Sequence, residues 1–403
     1  MKQTVTAKLK LHLTAEQKKI LLDVCVAYRD ALSFVLEQNL KDKTTNVKKL
    51  HSLYYYTIRE QFNLPAQLAI NVNRQAADMY QTLWAQYKEL KRRKPDSKCF
   101  KEFWNKPPKA KSLHAKYTFN RTFGIKLQEQ TVSLTTLDGR LKSIKYTCWN
   151  KHQELLSQGK IGDATLWYDK AKKIFYLLVP VTLEVQEQIP KQIVGVDVGE
   201  RNLIAVASTT GEKYLVPTLE SWKRTKERYN RLRSELMSKG TRSAKRKLAK
   251  LSRREKRFTE NVLHIVSKQL VLRHKDAKFV LEDLTQIRQN RITYRGKDKE
   301  ARRQAEQWPF ASLQSKIIYK TQLNYGIAPV KVDPHYTSKT CPVCGHVSSD
   351  NRPDNGELFV CQNCGYSEHA DIVGAINIAL RELAKDQEAN LKGLLVNQPN
   401  APR

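Results

Sequence analysis

The spacing of apolar residues changes repeatedly along the first half of the chain. Residues 3–12 alternate apolar and polar side chains, which predicts a β-strand. Thr14 with Gln17 is typical of a capping box, and a helical pattern then continues to about residue 90. Residues 115–150 and 161–185 alternate again in short segments, which predicts hairpins. The pattern therefore indicates a β-module that contains a helical insertion.

The second half mixes short buried strands with long helices. We place a boundary near Gln186–Lys191, followed by an apolar strand at Ile193–Val198. Residues 218–275 have the pattern of a helical hairpin that is broken near Gly240. A second short strand is predicted at Phe279–Leu284, with a helix near Ser312–Tyr325 and a strand at Val330–Val332 after it.

The charge of the chain indicates its partner. The 403 residues leave room for two or three domains, and 72 Lys and Arg against 40 Asp and Glu give a formal net charge of +32. A charge of this size calls for a polyanion, and nucleic acid is the expected one. A membrane surface is the alternative, but no apolar run approaches the ~20 residues that a span needs. The first residues, Met1–Thr4, lead into a strand and do not have the pattern of a signal peptide.

Four of the seven cysteines form two Cys-x-x-Cys knuckles that are separated by 16 residues. Four thiolates at this spacing predict a closed, structural zinc site, and the glycine after each knuckle suits its tight turn. The ligands are Cys341, Cys344, Cys361 and Cys364, and we do not expect His346 to be one. The other three cysteines are scattered, which favours a reducing cytosol over a disulfide framework.

Two strongly basic stretches are candidates for nucleic-acid binding. Nine of the 21 residues in 91–111 are Lys or Arg, interleaved with aromatic residues, which suits RNA, although a solvated loop would have a similar composition. A helical stripe within 218–275 is almost purely basic and predicts a ridge that follows phosphates, the alternative being an ordinary solvated face. The candidate residues are Arg92, Arg93, Lys94, Arg246, Lys250, Arg253, Arg254 and Arg257.

Three acids have sequence surroundings that favour a shared site. Asp197 lies between Gly195 and Gly199 at a strand, Glu282 ends an apolar strand, and Asp371 begins a helix-like segment after the second knuckle. Taken singly, Asp197 is also compatible with a turn acid, Glu282 is better explained as a surface acid at a strand end, and Asp371 is also compatible with a helix N-terminal acid. Taken together, hard carboxylate oxygens suit magnesium or manganese, and two such ions can hydrolyse a phosphodiester.

These segments resemble the motifs of a known family. Gly195–Gly199 is similar to the first RuvC motif, Leu281–Leu284 to the second, and His369–Asp371 with Ala375–Ile378 to the third. Pro334–His346 resembles the zinc-ribbon signature of TnpB proteins. The chain therefore resembles TnpB, the transposon-encoded ancestor of type V CRISPR effectors, with specific motifs over about residues 190–380. One departure is Val373-Gly374, where the third motif commonly has Asn.

The resemblance implies an α+β multidomain fold. Its parts would be a wedge-like β-barrel (1–12 and 112–188), a helical recognition insertion (13–111), an RNase H-like RuvC α/β nuclease domain (189–335 and 369–386), a zinc ribbon inserted in that domain (336–368) and a disordered tail (387–403).

The resemblance also implies a function. It implies a guide RNA from the transposon end and cleavage of double-stranded target DNA beside a short transposon-adjacent motif. It assigns Asp197, Glu282 and Asp371 to catalytic magnesium or manganese, and the cysteines to structural zinc. We expect a monomer with one RNA in the prokaryotic cytoplasm, nucleoid-associated when bound to DNA. We also expect the residues before Asp197 to read the adjacent motif.

Three other functions remain open at this point. A non-cleaving RNA-guided repressor should have lost acids of the triad, whereas all three are present. A DNA transposase would use an RNase H-like site without a guide, which leaves the RNA-suited basic region unexplained. A zinc-ribbon binding module without catalysis leaves Asp197 and Glu282 unexplained.

Overall fold

The computed structural model describes residues 1–105, 107–199, 201–284, 309–353 and 356–396, with side chains in the last helix through residue 385. The chain divides into two compact units, Lys2–Glu184 and Val185–Arg403, the second of which includes Met1. No helix within these described ranges is long and apolar enough to cross a membrane.

The first unit contains an eight-stranded antiparallel sheet that nearly closes into a barrel. Its strand order is β2-β7-β8-β1-β5-β4-β3, and β6 pairs with β8. The strands are β1 (Lys2–Leu11), β2 (His114–Tyr117), β3 (Phe123–Lys126), β4 (Thr131–Thr136), β5 (Gly139–Thr147), β6 (Lys160–Ile161), β7 (Ala164–Asp169) and β8 (Ile174–Glu184).

Helices cover this sheet and share its core. They are α1 (Ala15–Gln38), α2 (Val47–Phe62), α3 (Ala66–Arg93), α4 (Lys98–Lys101) and α5 (Asn150–Gln158). The predicted capping box at the start of α1 is confirmed, because Thr14 and Gln17 exchange both hydrogen bonds. Buried residues of α1, α2 and α3 form one hydrophobic cluster with those of the sheet. The insertion between β1 and β2 is therefore helical, as the apolar spacing indicates.

The second unit is built on a five-stranded mixed sheet in the order β11-β10-β9-β12-β13. The three strands β9 to β11 are antiparallel, whereas β12 runs parallel to both β9 and β13. Their bounds are β9 (Gln192–Asp197), β10 (Asn202–Ser208), β11 (Lys213–Pro217), β12 (Ala277–Glu282) and β13 (Val330–Val332). A separate hairpin is formed by β14 (Leu358–Val360) and β15 (Ser367–His369).

Helices pack on both faces of the five-stranded sheet. The helices are α6 (Glu220–Lys239), α7 (Arg242–Arg273), α8 (Phe310–Tyr325) and α9 (Ala370–Val396). One face packs on α7 and α8 through a cluster that includes Val194, Val196 and Leu263. The opposite face packs on α9, where Ala205 and Ala207 meet Ile372 and Ala375. The alternation of side chains along β9 therefore points Gly195 and Asp197 toward α9.

The sequence-predicted elements of this unit are present, with different bounds. The helical hairpin is α6 and α7, which meet at Gly240, a residue with φ of +61°. Residues 387–396 of the predicted tail continue α9, and residues 397–403 lie outside the described residues.

Candidate functional site

Asp197 is the last residue of β9, a central strand of the five-stranded sheet. Helix α9 passes very close to this strand: a Cβ atom on Gly195 would lie 2.0 Å from the carbonyl oxygen of Ala375. A Cβ on Gly374 would in turn lie 3.1 Å from Oδ2 of Asp197. Glycines at these two positions therefore allow the helix that carries Asp371 to lie directly over the Asp197 carboxylate.

The sheet and α9 bring the three predicted acids into one cluster. Val196 pairs with Leu281 across the parallel strands, so that the next residues, Asp197 and Glu282, end neighbouring strands at the same edge. Asp371 lies in the first turn of α9. Burial, followed by the charges of Glu282 and Asp371, raises the pKa of Asp197 to about 8. Burial also raises the pKa of Glu282.

Three further residues contact these acids. The amide Nδ2 of Asn202 donates to Oδ2 of Asp371 at 2.9 Å, and the hydroxyl of Thr337 donates to Oε1 of Glu282 at 2.6 Å. Nη2 of Arg352 lies 3.7 Å from Oδ1 of Asp371. None of the three is among the site residues predicted from the sequence. Thr337 falls within the zinc-ribbon signature Pro334–His346, whereas the positions of Asn202 and Arg352 carry no periodic or motif signal.

The acid cluster suits a hard divalent cation by the chemistry of its donor atoms, while its three carboxylates are more widely spaced than the sulfur atoms of the four cysteines. The charges of Glu282 and Asp371 raise the pKa of Asp197, and Arg352 is the cation that lowers it. A bound divalent ion would supply the missing positive charge, and oxygen donors are what magnesium and manganese prefer. Asp197, Glu282 and Asp371 are the residues that would hold it.

The four cysteines lie together around a space suited to zinc. Their sulfur atoms lie within 4.8 Å of one another, with Sγ of Cys341 3.6 Å from that of Cys364 and Sγ of Cys344 3.5 Å from that of Cys361. Zn–S bonds of about 2.3 Å in a tetrahedron place sulfurs about 3.8 Å apart. No other His, Cys, Asp or Glu ligand atoms in the described part of the chain form a group of three or more this close.

The backbone of the knuckles also suits thiolate ligands. Gly345 and Gly365 have φ of +75° and +71°, and their N–H groups donate to the carbonyls of Cys341 and Cys361. The backbone N–H of His346 is the main cause that lowers the pKa of Cys344 to about 6. The cluster of four cysteines can therefore hold zinc, with His346 supplying backbone contacts.

In the first basic stretch, residues 91–111, the aromatic side chains are not arranged as stacking of RNA bases would require. Arg92 and Arg93 both pair with Glu89, while Lys94 is exposed. The aromatic residues of this stretch pack against Tyr87 of α3, with ring centroids 5.0 to 5.6 Å apart; they are Phe100, Phe103 and Trp104. Their rings are thus engaged with each other and with α3, which leaves Lys94 as the exposed candidate without a salt bridge among the described residues.

The second basic stretch forms a stripe on α7. Arg246, Lys250, Arg253, Arg254 and Arg257 are all exposed, and none has a salt bridge to another described residue. The acid of this region, Glu255, is buried on the opposite side of α7, where it pairs with Lys226 and Arg233 of α6. Within the part of the chain that the structure describes, no acid therefore pairs with the stripe.

The fold and site define an RNase H-like α/β domain with a zinc-ribbon insertion, and comparisons with known proteins agree with this class. The family model described as "Cas12f1-like, TNB domain" matches residues 310–378, and the model described as "Probable transposase" matches residues 177–292.

Two curated proteins are similar to this chain in sequence. The chain is 29% identical over 228 residues to a TnpB-like protein of Methanocaldococcus jannaschii, a match that covers 54% of this chain and 77% of the relative. It is 28% identical over 247 residues to the CRISPR-associated endodeoxyribonuclease Cas12f1 of Sulfoacidibacillus thermotolerans, with 57% of this chain and 56% of that one covered. These matches confirm the resemblance of this chain to TnpB proteins.

A solved structure supports the fold. The mini-RNA-guided endonuclease CRISPR-Cas_phi3 superposes with a TM-score of 0.54 at 13% identity and covers 94% of this chain and 92% of its own. At this identity the likeness concerns the fold alone.

Proposed function

We propose that this protein is an RNA-guided DNA endonuclease that cuts target DNA beside a short transposon-adjacent motif. The observation that carries the proposal is the convergence of Asp197, Glu282 and Asp371 at one edge of an RNase H-like sheet. A half-buried cluster of carboxylates is unfavourable for folding, so its presence is best explained by a metal-dependent reaction. The names of the relatives, which include an endodeoxyribonuclease, support the same activity.

The residues around the acids have separable roles in this proposal. Magnesium ions, when bound, would activate water and stabilise the leaving 3′-oxygen. Asp197, whose pKa is raised to about 8, releases its proton when the carboxylate becomes a ligand. Asn202 holds one oxygen of Asp371, so that its other oxygen remains turned toward Arg352. Arg352 brings positive charge to the site, where the phosphate of a bound strand is negative.

Guide RNA and target DNA are the proposed partners. The net charge of +32 requires a polyanion, and the exposed stripe on α7 offers cations that no described acid neutralises. In an RNA-guided enzyme, pairing reads the target while the protein contacts the backbone of the heteroduplex and a short flanking motif. We propose one RNA per protein monomer, with the flanking motif read by the unit that precedes Asp197.

A transposase is the second candidate, favoured by the description of the model that matches residues 177–292. It would use the same acids without a guide. Sequencing of copurified RNA, followed by exchange of its guide segment, separates the two candidates. We expect cut sites in a plasmid library to follow the new guide; cut sites that stay in place would favour direct DNA recognition by a transposase.

The acids themselves are tested one at a time. Asp197→Ala, Glu282→Ala and Asp371→Ala should each abolish plasmid cutting, because each removes a proposed metal ligand, while guided DNA binding in gel shifts persists. Glu235→Ala, which changes an exposed acid of α6, is the matched control and should cut normally. Retained cutting in any of the three variants would remove that residue from the proposed site.

A further inference from the structure

The turn between β13 and the first cysteine knuckle contacts the acid cluster. Glu282 pairs with Val332 in the parallel ladder, so the chain leaves β13 directly beside the Glu282 carboxylate. Within this turn Thr337 is buried, and its hydroxyl lies 2.6 Å from Oε1 of Glu282. The same hydroxyl lies 3.1 Å from the carbonyl of Pro334, but its single proton favours the shorter contact with the carboxylate.

Helix α9 holds this turn in place. Nδ2 of Asn377 donates to the carbonyls of Thr337 and Thr340, at 2.7 and 2.8 Å, and Arg381 donates to the carbonyls of Asp333 and His335. Asn377 is buried. The helix that carries Asp371 therefore also fixes the backbone from which Thr337 reaches Glu282.

The backbone of Glu282 is fixed separately. Nε2 of Gln314, on α8, donates to the Glu282 carbonyl at 2.8 Å, and the N–H of Asp283 donates to the carbonyl of Val332 at 2.7 Å. The side chain of Glu282, by contrast, receives its hydrogen bond from Thr337. A carboxylate side chain with several rotatable bonds needs such a partner to keep its other oxygen turned toward a metal ion, even when its backbone is fixed.

We infer that Thr337 is a positioning residue that holds one oxygen of Glu282 so that its other oxygen is presented to a divalent cation. This inference rests on the proposed function. The segment that leads into Cys341 would then take part directly in divalent-cation binding. Thr337 lies in this segment, and Asn377 of α9 donates hydrogen bonds to the carbonyls of Thr337 and Thr340. Orienting partners of this kind are typically worth ~10-fold or more in metal affinity.

The test measures Mn²⁺ binding to the zinc-loaded, nucleic-acid-free protein through the electron paramagnetic resonance signal of free Mn²⁺. Thr337→Val keeps the shape of the side chain and removes the donor, so we expect binding about 10-fold weaker than in the wild type. Thr337→Ser, which restores the hydroxyl, should return to near the wild-type value. Thr340→Val is the matched control, because the Thr340 hydroxyl bonds within the turn to the carbonyl of Tyr336 and does not contact an acid.

Glu282→Gln provides the reference for loss of the ligand itself. If Glu282→Gln weakens Mn²⁺ binding but Thr337→Val does not, the inference is wrong and the proposed function stands. If Thr337→Ser or Thr340→Val is as weak as Thr337→Val, the packing of the turn and not the hydroxyl is responsible, which also overturns the inference. If Glu282→Gln binds Mn²⁺ like the wild type, the acid cluster is not the metal site, and both proposals fail.

Discussion

At the scale of single residues, the candidate site combines ionisable groups with neutral donors. Asn202 and Thr337 each give one hydrogen bond to an acid, whereas Asp197 faces Gly374 and two neighbouring carboxylates. The pKa of Asp197 is consequently raised to about 8 in the metal-free protein. This arrangement is costly for stability and useful for binding a cation, a trade-off common at functional sites.

Asp197→Asn should therefore stabilise the metal-free protein. The folded carboxyl, with a pKa of about 8, keeps a proton that the unfolded chain, with a pKa near 3.8, releases. Stability contributed by this group consequently falls as pH rises from about 4 to about 8. In zinc-loaded protein without added magnesium or manganese, we expect the variant to melt above the wild type, with a gap that widens from pH 5 to pH 8. A gap that narrows with pH would contradict this expectation. Added Mg²⁺ should raise the melting temperature of the wild type more than that of the variant.

His274 provides a pH dependence of opposite sign. It is buried, and Tyr214 OH lies 3.0 Å from its Nε2. Burial is the main cause that lowers its pKa below 6.5, although Glu212 opposes this shift. The unfolded chain therefore takes up a proton first as pH falls below about 6.5, and stability is lost there. His274→Gln should flatten the fall of melting temperature between pH 7 and pH 5; an unchanged slope would show that other groups cause it.

At the scale of secondary-structure elements, close approach of α9 to β9 decides where Asp371 lies. The Gly195 contact with Ala375 is backbone to backbone, so no side-chain rotation can relieve a substituent there. We expect Gly195→Ala to cost about 3 kcal/mol of unfolding free energy, at the upper end of overpacking effects. Gly124→Ala is the control, because its Cβ would meet the Ser133 hydroxyl at 3.2 Å, a side-chain contact that rotation can relieve at the cost of the hydrogen bonds from Arg140. Chemical denaturation measures both, and equal losses would contradict the packing argument.

The stripe on α7 is the second element-scale prediction. Simultaneous replacement of Arg246, Lys250, Arg253 and Arg257 by Ala should reduce the slope of log affinity against log salt by about 3, if each cation neutralises one phosphate. Replacement of the three arginines by Lys keeps the charge and should keep the slope. Sequence preference should not change in either variant. An unchanged slope in the alanine variant would assign the stripe to an ordinary solvated face.

At the scale of the whole molecule, the two candidate metal sites differ in the type of ligand that they offer. Thiolates of the ribbon suit zinc, and carboxylates at the sheet edge suit magnesium or manganese. The ribbon is small, with a core of few residues that includes Cys341, Phe359 and Cys361. So small a core needs a metal to remain folded.

Zinc removal should therefore unfold the ribbon. We expect one zinc per chain by elemental analysis, and its removal by a chelator, or Cys364→Ser, should expose residues 336–368 to proteolysis. Cys99→Ser, which changes an exposed cysteine outside the ribbon, is the control. Well-folded protein without zinc would contradict the prediction. Because Thr337 lies at the start of this ribbon, zinc loss should also weaken Mn²⁺ binding.

Much of the architecture could be predicted from the sequence, because it follows from local patterns. Apolar periodicity predicts the strands and helices of both units, and the capping box predicts where α1 begins. Paired cysteines at fixed spacing predict their own cluster, since the knuckle turns are local. Gly195, two residues before Asp197, is compatible with a close approach of backbone, and the structure shows that the approach is to α9.

The tertiary structure decided what each of these parts contacts. Thr337 and Glu282 are 55 positions apart, and Asn202 and Asp371 are 169 apart, so their hydrogen bonds exist only once the sheet and α9 have assembled. The contacts of Phe100, Phe103 and Trp104 likewise depend on the folded structure. Their sequence surroundings suit RNA binding, but their rings pack on Tyr87. A sequence pattern specifies the period of an element and the face that it buries. Which side chain meets which carboxylate depends on strand register and helix approach, and these arise from packing over the whole domain.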